Sequence, residues 1–219
     1  PLLAGTPCTE YFVNNVRRFG MTDGTDCYYD LSFAQEGSPI TQNLFFAALP
    51  SQGAHKFKGS LVMGKPQKTD ALLVGDGIID GGDGPTVTIE AGANLAFAHS
   101  GASLIINRGA RIVAEGNAQD PITFTSYGDT KGTQTSEEAG LWGGIIINGF
   151  AVTNRCEYIG SRTFNDSGSR DSDTLTGSQE CHALSPISSL LGSGKIYYGG
   201  DNNLDNSGIL SYVVVKHAG

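Results

Sequence analysis

Ile89-Glu90-Ala91-Gly92-Ala93-Asn94-Leu95-Ala96-Phe97 and Ile106-Asn107-Arg108-Gly109-Ala110-Arg111-Ile112-Val113-Ala114 are two copies of one pattern, offset by 17 residues. In each copy an apolar residue is followed three positions later by Gly-Ala, and then by an alternating run that ends in Phe97 or Ala114. Alternation with a period of two marks a strand with one buried face, and glycine allows the backbone a tight corner. The pattern predicts two strands joined through a glycine corner. It places Ile89, Leu95, Phe97, Ile106, Ile112, Ile122 and Phe124 in one elongated core, with the aligned copies stacking like on like.

Further strand patterns lie at residues 121–126, 144–148 and 209–215, separated by Gly, Asn and Asp and without helical periodicity between them. Parallel strands need crossovers, and short coils without a helix supply these only by winding round a solenoid. The expected fold is all-β, a right-handed parallel β-helix. An antiparallel sandwich is the competing arrangement, but the Asn-Gly sites do not fall as two-residue hairpins between matched strands.

The first part of the chain reads differently. Phe12, Val16 and Phe19 have helical spacing and precede Gly20, which predicts a short amphipathic helix over residues 9–19 that caps an end of the stack. Residues 28–68 give irregular signals, with strand-like pieces at 43–49 and 60–63. The expected organisation is a cap and irregular segment over residues 1–70, followed by coils over 71–219. An insertion at 154–206 interrupts the coils, and 15 of the 24 residues from 157 to 180 are Gly, Ser, Thr, Asn or Asp. Loops of this kind on a solenoid are where binding commonly resides.

The 219 residues carry a net charge of -8 and no basic run that would neutralise adjacent phosphates, which argues against a nucleic-acid partner. The longest apolar stretches, at residues 145–147 and 212–215, are far short of the roughly 20 residues of a transmembrane helix. The sequence starts at Pro1 without a basic and apolar leader, as a mature or partly observed chain would.

Four cysteines form two sequence-local pairs, Cys8 with Cys27 and Cys156 with Cys181, and neither pair has CxxC spacing. Two disulfides are expected, each stabilising by about 3 kcal/mol in the chain-entropy model, in an oxidising compartment. Four unpaired thiols, or the other pairings of the four cysteines, are the alternatives.

Several blocks in order carry a family resemblance. They are Thr88-Ile89-Glu90-Ala91-Gly92, Leu104-Ile105-Ile106-Asn107-Arg108-Gly109-Ala110-Arg111-Ile112-Val113-Ala114-Glu115-Gly116, Pro121-Ile122-Thr123-Phe124-Thr125-Ser126, Leu141-Trp142-Gly143-Gly144-Ile145-Ile146-Ile147-Asn148-Gly149, and Asp205-Asn206-Ser207-Gly208. Over residues 86–219 the chain resembles a large group of secreted parallel β-helix proteins common in marine Gram-negative bacteria and Bacteroidetes. The resemblance implies a fold and an extracellular or outer-surface address, with surface-layer proteins as one home for such sequences. It also implies that the coils continue beyond residue 219.

Candidate chemistry is sparse. Asp76, Asp80 and Asp83 sit on a glycine-rich turn that resembles one calcium-binding nonapeptide repeat, except that Thr86 stands where Asp is needed. Asp201 and Asp205 form a second oxygen-rich run, and Asp23 and Asp26 a weaker third. Calcium is the cofactor these groups suit, and acidic turns whose side chains bond their own backbone are the alternative. His55, His99, His182 and His217 lack an H-x-x-x-H partner and read as turn residues. Trp142, beside Gly143 and Gly144, suits packing on a coil; Tyr28, Tyr29, Tyr197 and Tyr198 suit sugar stacking if exposed.

No catalytic residues and no acidic row emerge. The expected role is structural or adhesive at the bacterial surface, with self-association, other surface components or glycans as partners. A carbohydrate-active enzyme or glycan-binding module on the same scaffold is the alternative.

Overall fold

The computed structural model describes residues 8–34, 39–65, 84–151, 163–164, 170–171, 198 and 204–219. The strands are β1 (Glu10–Val13), β2 (Val16–Phe19), β3 (Met21–Thr22), β4 (Cys27–Tyr29), β5 (Leu44–Phe46), β6 (Ala54–Phe57), β7 (Leu61–Met63), β8 (Thr86–Ile89) and β9 (Asn94–Phe97). They continue with β10 (Leu104–Ile106), β11 (Arg111–Glu115), β12 (Ile122–Ser126), β13 (Ile145–Ile147), β14 (Thr163–Phe164), β15 (Arg170–Asp171), β16 (Gly208–Ser211) and β17 (Val213–Val215). No α-helix occurs among the described residues.

Three sheets hold most of these strands. Their orders are β13-β10-β7, β16-β11-β8-β5 and β17-β12-β9-β6-β4-β3. From β5 onward the chain visits the four-stranded, six-stranded and three-stranded sheets in the same cyclic order: β5, β6, β7, then β8, β9, β10, then β11, β12, β13, then β16, β17. Every pairing between successive turns is parallel. The sheets also reach back to β4, so the stretch with irregular sequence signals supplies strands to the same framework.

The copies of the 17-residue pattern do not stack on each other. Ile89 pairs with Ala114, and Ile106 pairs with Met63 and Ile147. The shared element is a corner. Ala93 N donates to Glu90 O at 3.1 Å and Ala110 N to Asn107 O at 3.0 Å, with Gly92 at φ 83° and Gly109 at φ 82°. Both are type II turns, which need positive φ at the third residue. One turn chemistry thus serves two different corners of a single coil. The seven expected core residues are all buried, as anticipated, although their neighbours differ.

Stacking like on like does occur among the rings. Tyr29 lies on Phe57 with centroids 4.7 Å apart, Phe57 on Phe97 at 5.3 Å, and Phe97 on Trp142 at 4.8 Å with planes 6° apart. The first two contacts follow the strand register, in which Tyr29 is opposite Phe57 and Phe57 opposite Phe97. The next in-register residue is Ser126, and Trp142 enters from outside the sheet's strands to lie on Phe97. Its indole Nε1 donates to Lys216 O at 2.7 Å. A second stack runs along the corner after the three-stranded sheet. There Asn107 Nδ2 donates to Gly64 O at 2.7 Å, and Asn148 N donates to Ile106 O at 2.9 Å.

The expected N-terminal helix is absent. Residues 10–19 form the antiparallel hairpin β1–β2, with Glu10 opposite Phe19 and Val13 opposite Val16. Asn14 at φ 48° and Asn15 at φ 64° make its two-residue turn, the left-handed pair that matches strand twist. Tyr11 packs edge-on against Phe33, 5.1 Å between centroids, and donates its hydroxyl to Phe33 O. The expected Cys8–Cys27 disulfide is present and ties this hairpin to β4. Cys156 and Cys181 lie outside the described residues.

Phe97→Ala is expected to lower the free energy of unfolding by about 3–5 kcal/mol, because it removes a fully buried ring stacked on both sides. Urea denaturation followed by circular dichroism measures it, and a loss below about 1 kcal/mol would contradict the stack's importance.

Candidate functional site

The outer face of the six-stranded sheet gathers the polar chemistry of the described residues. Alternation turns Tyr28, Lys56, Ala96 and Thr125 outward, and the register sets them in one row: Tyr28 opposite Lys56, Lys56 opposite Ala96, Ala96 opposite Thr125. Two clusters lie along it.

The first surrounds Lys56, which is only 3% exposed although its side chain is on the outer face. Its ammonium pairs with Asp26 Oδ2, while Asp26 Oδ1 accepts from Ala54 N at 2.7 Å. Tyr28 donates to Asp23 Oδ2 at 2.9 Å. Asp23 also accepts from the backbone N–H of Asp26 at 2.9 Å and of Thr25 at 3.0 Å. Those bonds, the Asp26 and Thr25 amides first and the Tyr28 hydroxyl next, hold its acidity at about 2. Bonding to Asp23 in turn raises the Tyr28 phenol to about 12. Asp23 thus follows the acidic-turn alternative, with its side chain bonded to local backbone, whereas Asp26 reaches across to Ala54 and Lys56 of β6.

The second cluster joins Asp129 to Lys216, 87 positions further along the chain. Asp129 Oδ2 accepts from Thr125 Oγ1 at 2.7 Å and from Lys216 Nζ at 3.1 Å, and its Oδ1 lies 3.4 Å from His217 Nε2. His217 Nδ1 contacts Glu138 O at 2.6 Å, so this nitrogen carries a proton. Burial opposes ionisation of Asp129 most strongly, but the Thr125, Lys216 and His217 contacts together outweigh it and lower its pKa. The cluster places a carboxylate, an imidazole and an ammonium together, the groups of proton transfer and anion recognition. It also ties the loop after β12 to the end of β17.

His55 is fully buried and serves a different purpose. Thr9 N–H donates to the Tyr29 hydroxyl at 2.9 Å, which donates to His55 Nδ1 at 2.8 Å; His55 Nε2–H donates to Ala47 O at 2.7 Å. Neutral imidazole protonated at Nε2 satisfies every group of this chain. Burial lowers the His55 pKa to about 4, against a smaller opposing contribution from the Ala47 carbonyl.

Several sequence expectations are corrected or narrowed. His55 is a strand residue of the core and not a turn residue, and Tyr29 is a core ring that cannot stack on a sugar. Trp142 is buried in packing, as expected. His99 occupies a turn, where its Nδ1 accepts from Gly101 N at 3.1 Å. Asp205 Oδ2 accepts from Phe150 N at 2.9 Å and from Ser207 Oγ at 3.3 Å, at the base of the insertion. Asp76, Asp80, Asp83, Asp201, His182 and Tyr197 lie outside the described residues. Among the described residues, no three His, Cys, Asp or Glu side chains converge as a metal-binding group.

Residues 66–219 match the model of the pectate-lyase-like β-helix domain family, which covers more than half of the chain. The chain belongs to this family of β-helix proteins. No curated protein and no solved structure matches it.

The His55 geometry sets a pH dependence. The group has a pKa near 6.5 when unfolded and about 4 when folded, so the unfolded state binds more protons between these values. Stability from the neutral imidazole is complete above about pH 6.5 and is lost as pH falls toward 4, by roughly 3 kcal/mol in all. Urea midpoints measured across this window should fall with acid in the wild type. In His55→Gln, whose amide can make both bonds, they should fall less steeply.

Proposed function

We propose that this chain is a secreted or cell-surface β-helix protein with a structural or adhesive role, a component of an extracellular assembly on a Gram-negative bacterium. The observation that carries the reading is the use of charge on the outer face of the six-stranded sheet. Lys56 with Asp26 and Asp129 with Lys216 join neighbouring turns and loops to each other, as a rigid scaffold requires. The Cys8–Cys27 disulfide supports an oxidising compartment outside the cytoplasm. A right-handed winding belongs to the same reading, since parallel crossovers are almost always of that hand. Calcium is the proposed ion for Asp76, Asp80 and Asp83, and for Asp201 and Asp205.

Carbohydrate binding or cleavage is the second reading. It is favoured by the family match and by the Asp129, His217 and Lys216 constellation. The test applies intact-cell protease treatment and immunogold labelling to the native producer, alongside incubation of the purified protein with uronic-acid polymers. The structural reading expects surface label, protease accessibility and no depolymerisation. Depolymerisation abolished by Asp129→Asn would overturn it in favour of the second, and an exclusively cytoplasmic label would reject both.

A further inference from the structure

The four-stranded sheet presents an outer face unlike that of its neighbour. Leu44, Phe46, Val87, Ile89, Ile112 and Ala114 point inward and are buried, so alternation sends Phe45, Thr88, Val113 and Ile209 outward. The register places these four in one row across all four strands: Phe45 opposite Thr88, Thr88 opposite Val113, Val113 opposite Ile209. Phe45 is 53% exposed and Ile209 45%. Three of the four are apolar, Thr88 and Val113 are half-buried between the exposed Phe45 and Ile209, and a mostly apolar row rimmed by polar residues suits a contact surface.

The rims identify the partner. On one side of the row β11 carries Arg111, opposite Thr86; on the other it carries Glu115, opposite Ser211. Arg111 Nε is buried and has no hydrogen-bond partner, and no ion pair is made by Glu115 among the described residues. A two-fold axis lying along the apolar row would set this face on a copy of itself. Such an axis maps each position of the row onto the same position of the other copy and exchanges the two rims. Val113 then meets Val113, and each Arg111 meets the other copy's Glu115, giving two symmetric charge pairs. A surface complementary to itself in this way is what an isologous dimer needs.

We propose that the outer face of the four-stranded sheet is a self-association surface whose partner is a second copy of this chain, with Val113 at the two-fold axis and reciprocal Arg111–Glu115 pairs. The proposal rests on the assembly role argued above and names its partner. Strands about 4.8 Å apart make the four-strand row only about 15 Å long. The face is therefore smaller than the roughly 800 Å² per partner of standard stable interfaces. The contact is accordingly weak, and it gains strength where it is repeated.

Oxidative cross-linking of Val113→Cys tests the geometry, with Thr123→Cys on the outer face of the six-stranded sheet as control. The proposal expects a disulfide-linked dimer from Val113→Cys alone. Equal cross-linking of both variants, or of neither, would overturn it. Sedimentation velocity over a concentration series tests the charge pairs. Arg111→Glu and Glu115→Arg should each weaken association at least threefold, and the double exchange should restore it. Circular dichroism confirms that each variant is folded. Singles that leave association unchanged, or a double variant no better than either single, would reject the paired rims. Surface label on cells without cross-linking at Val113 would sink this interface while leaving the assembly role standing.

Discussion

Each turn of this chain is held on the one before it by a parallel ladder, and the ladder leaves no freedom of register. A slip by one residue would send every inward side chain to solvent. The ring stack from Tyr29 through Phe57 to Phe97 depends on that constraint, because rings align only when their strands do. The corners enforce it. Gly92 and Gly109 close their turns with the same hydrogen bond, so the strands on either side start at a fixed phase. Asn107, the first residue of the Gly109 turn, bonds to the carbonyl of Gly64 one turn below and fixes the phase between turns at that corner.

The outward side chains inherit their positions from the same ladder. Lys56 and Thr125 occupy one row because Ala96 lies between them in register, and Arg111 and Glu115 flank Val113 because they are two residues away on the same strand. The two sheets have used this geometry differently. On the six-stranded sheet the polar groups meet partners within the chain, whereas on the four-stranded sheet the outer row is apolar apart from Thr88, with Arg111 and Glu115 at its rims.

The sequence revealed the strands and their inward residues because alternation is a local property. It revealed the turn as well, but not which strand lies on which. Two corners with the same turn chemistry look like a stacking repeat, while the true partners, such as Ile89 and Ala114, share little beyond being apolar. The N-terminal misreading has a similar cause. Phe12, Val16 and Phe19 match helical spacing, yet Asn14-Asn15 is a two-residue turn able to take positive φ, a signal that Asn-Gly would have made plainer. Asp129 and His217 are joined only because β17 pairs with β12 after a long intervening segment, so no local pattern announces them. The buried His55 looked like any isolated histidine, since its partners Tyr29 and Ala47 come from separate strands and loops.

The arrival of Trp142 on Phe97 makes the only tryptophan of the chain a natural optical probe. Its indole is stacked on a ring of the middle turn and bonded to the carbonyl of Lys216, just after the last strand. Loosening of that final segment would free the indole N–H and shift the emission while the ring contact persists. Loss of the stack itself requires opening the interior. Fluorescence wavelength and far-ultraviolet ellipticity would therefore separate local loosening around β17 from collective melting, without an added label.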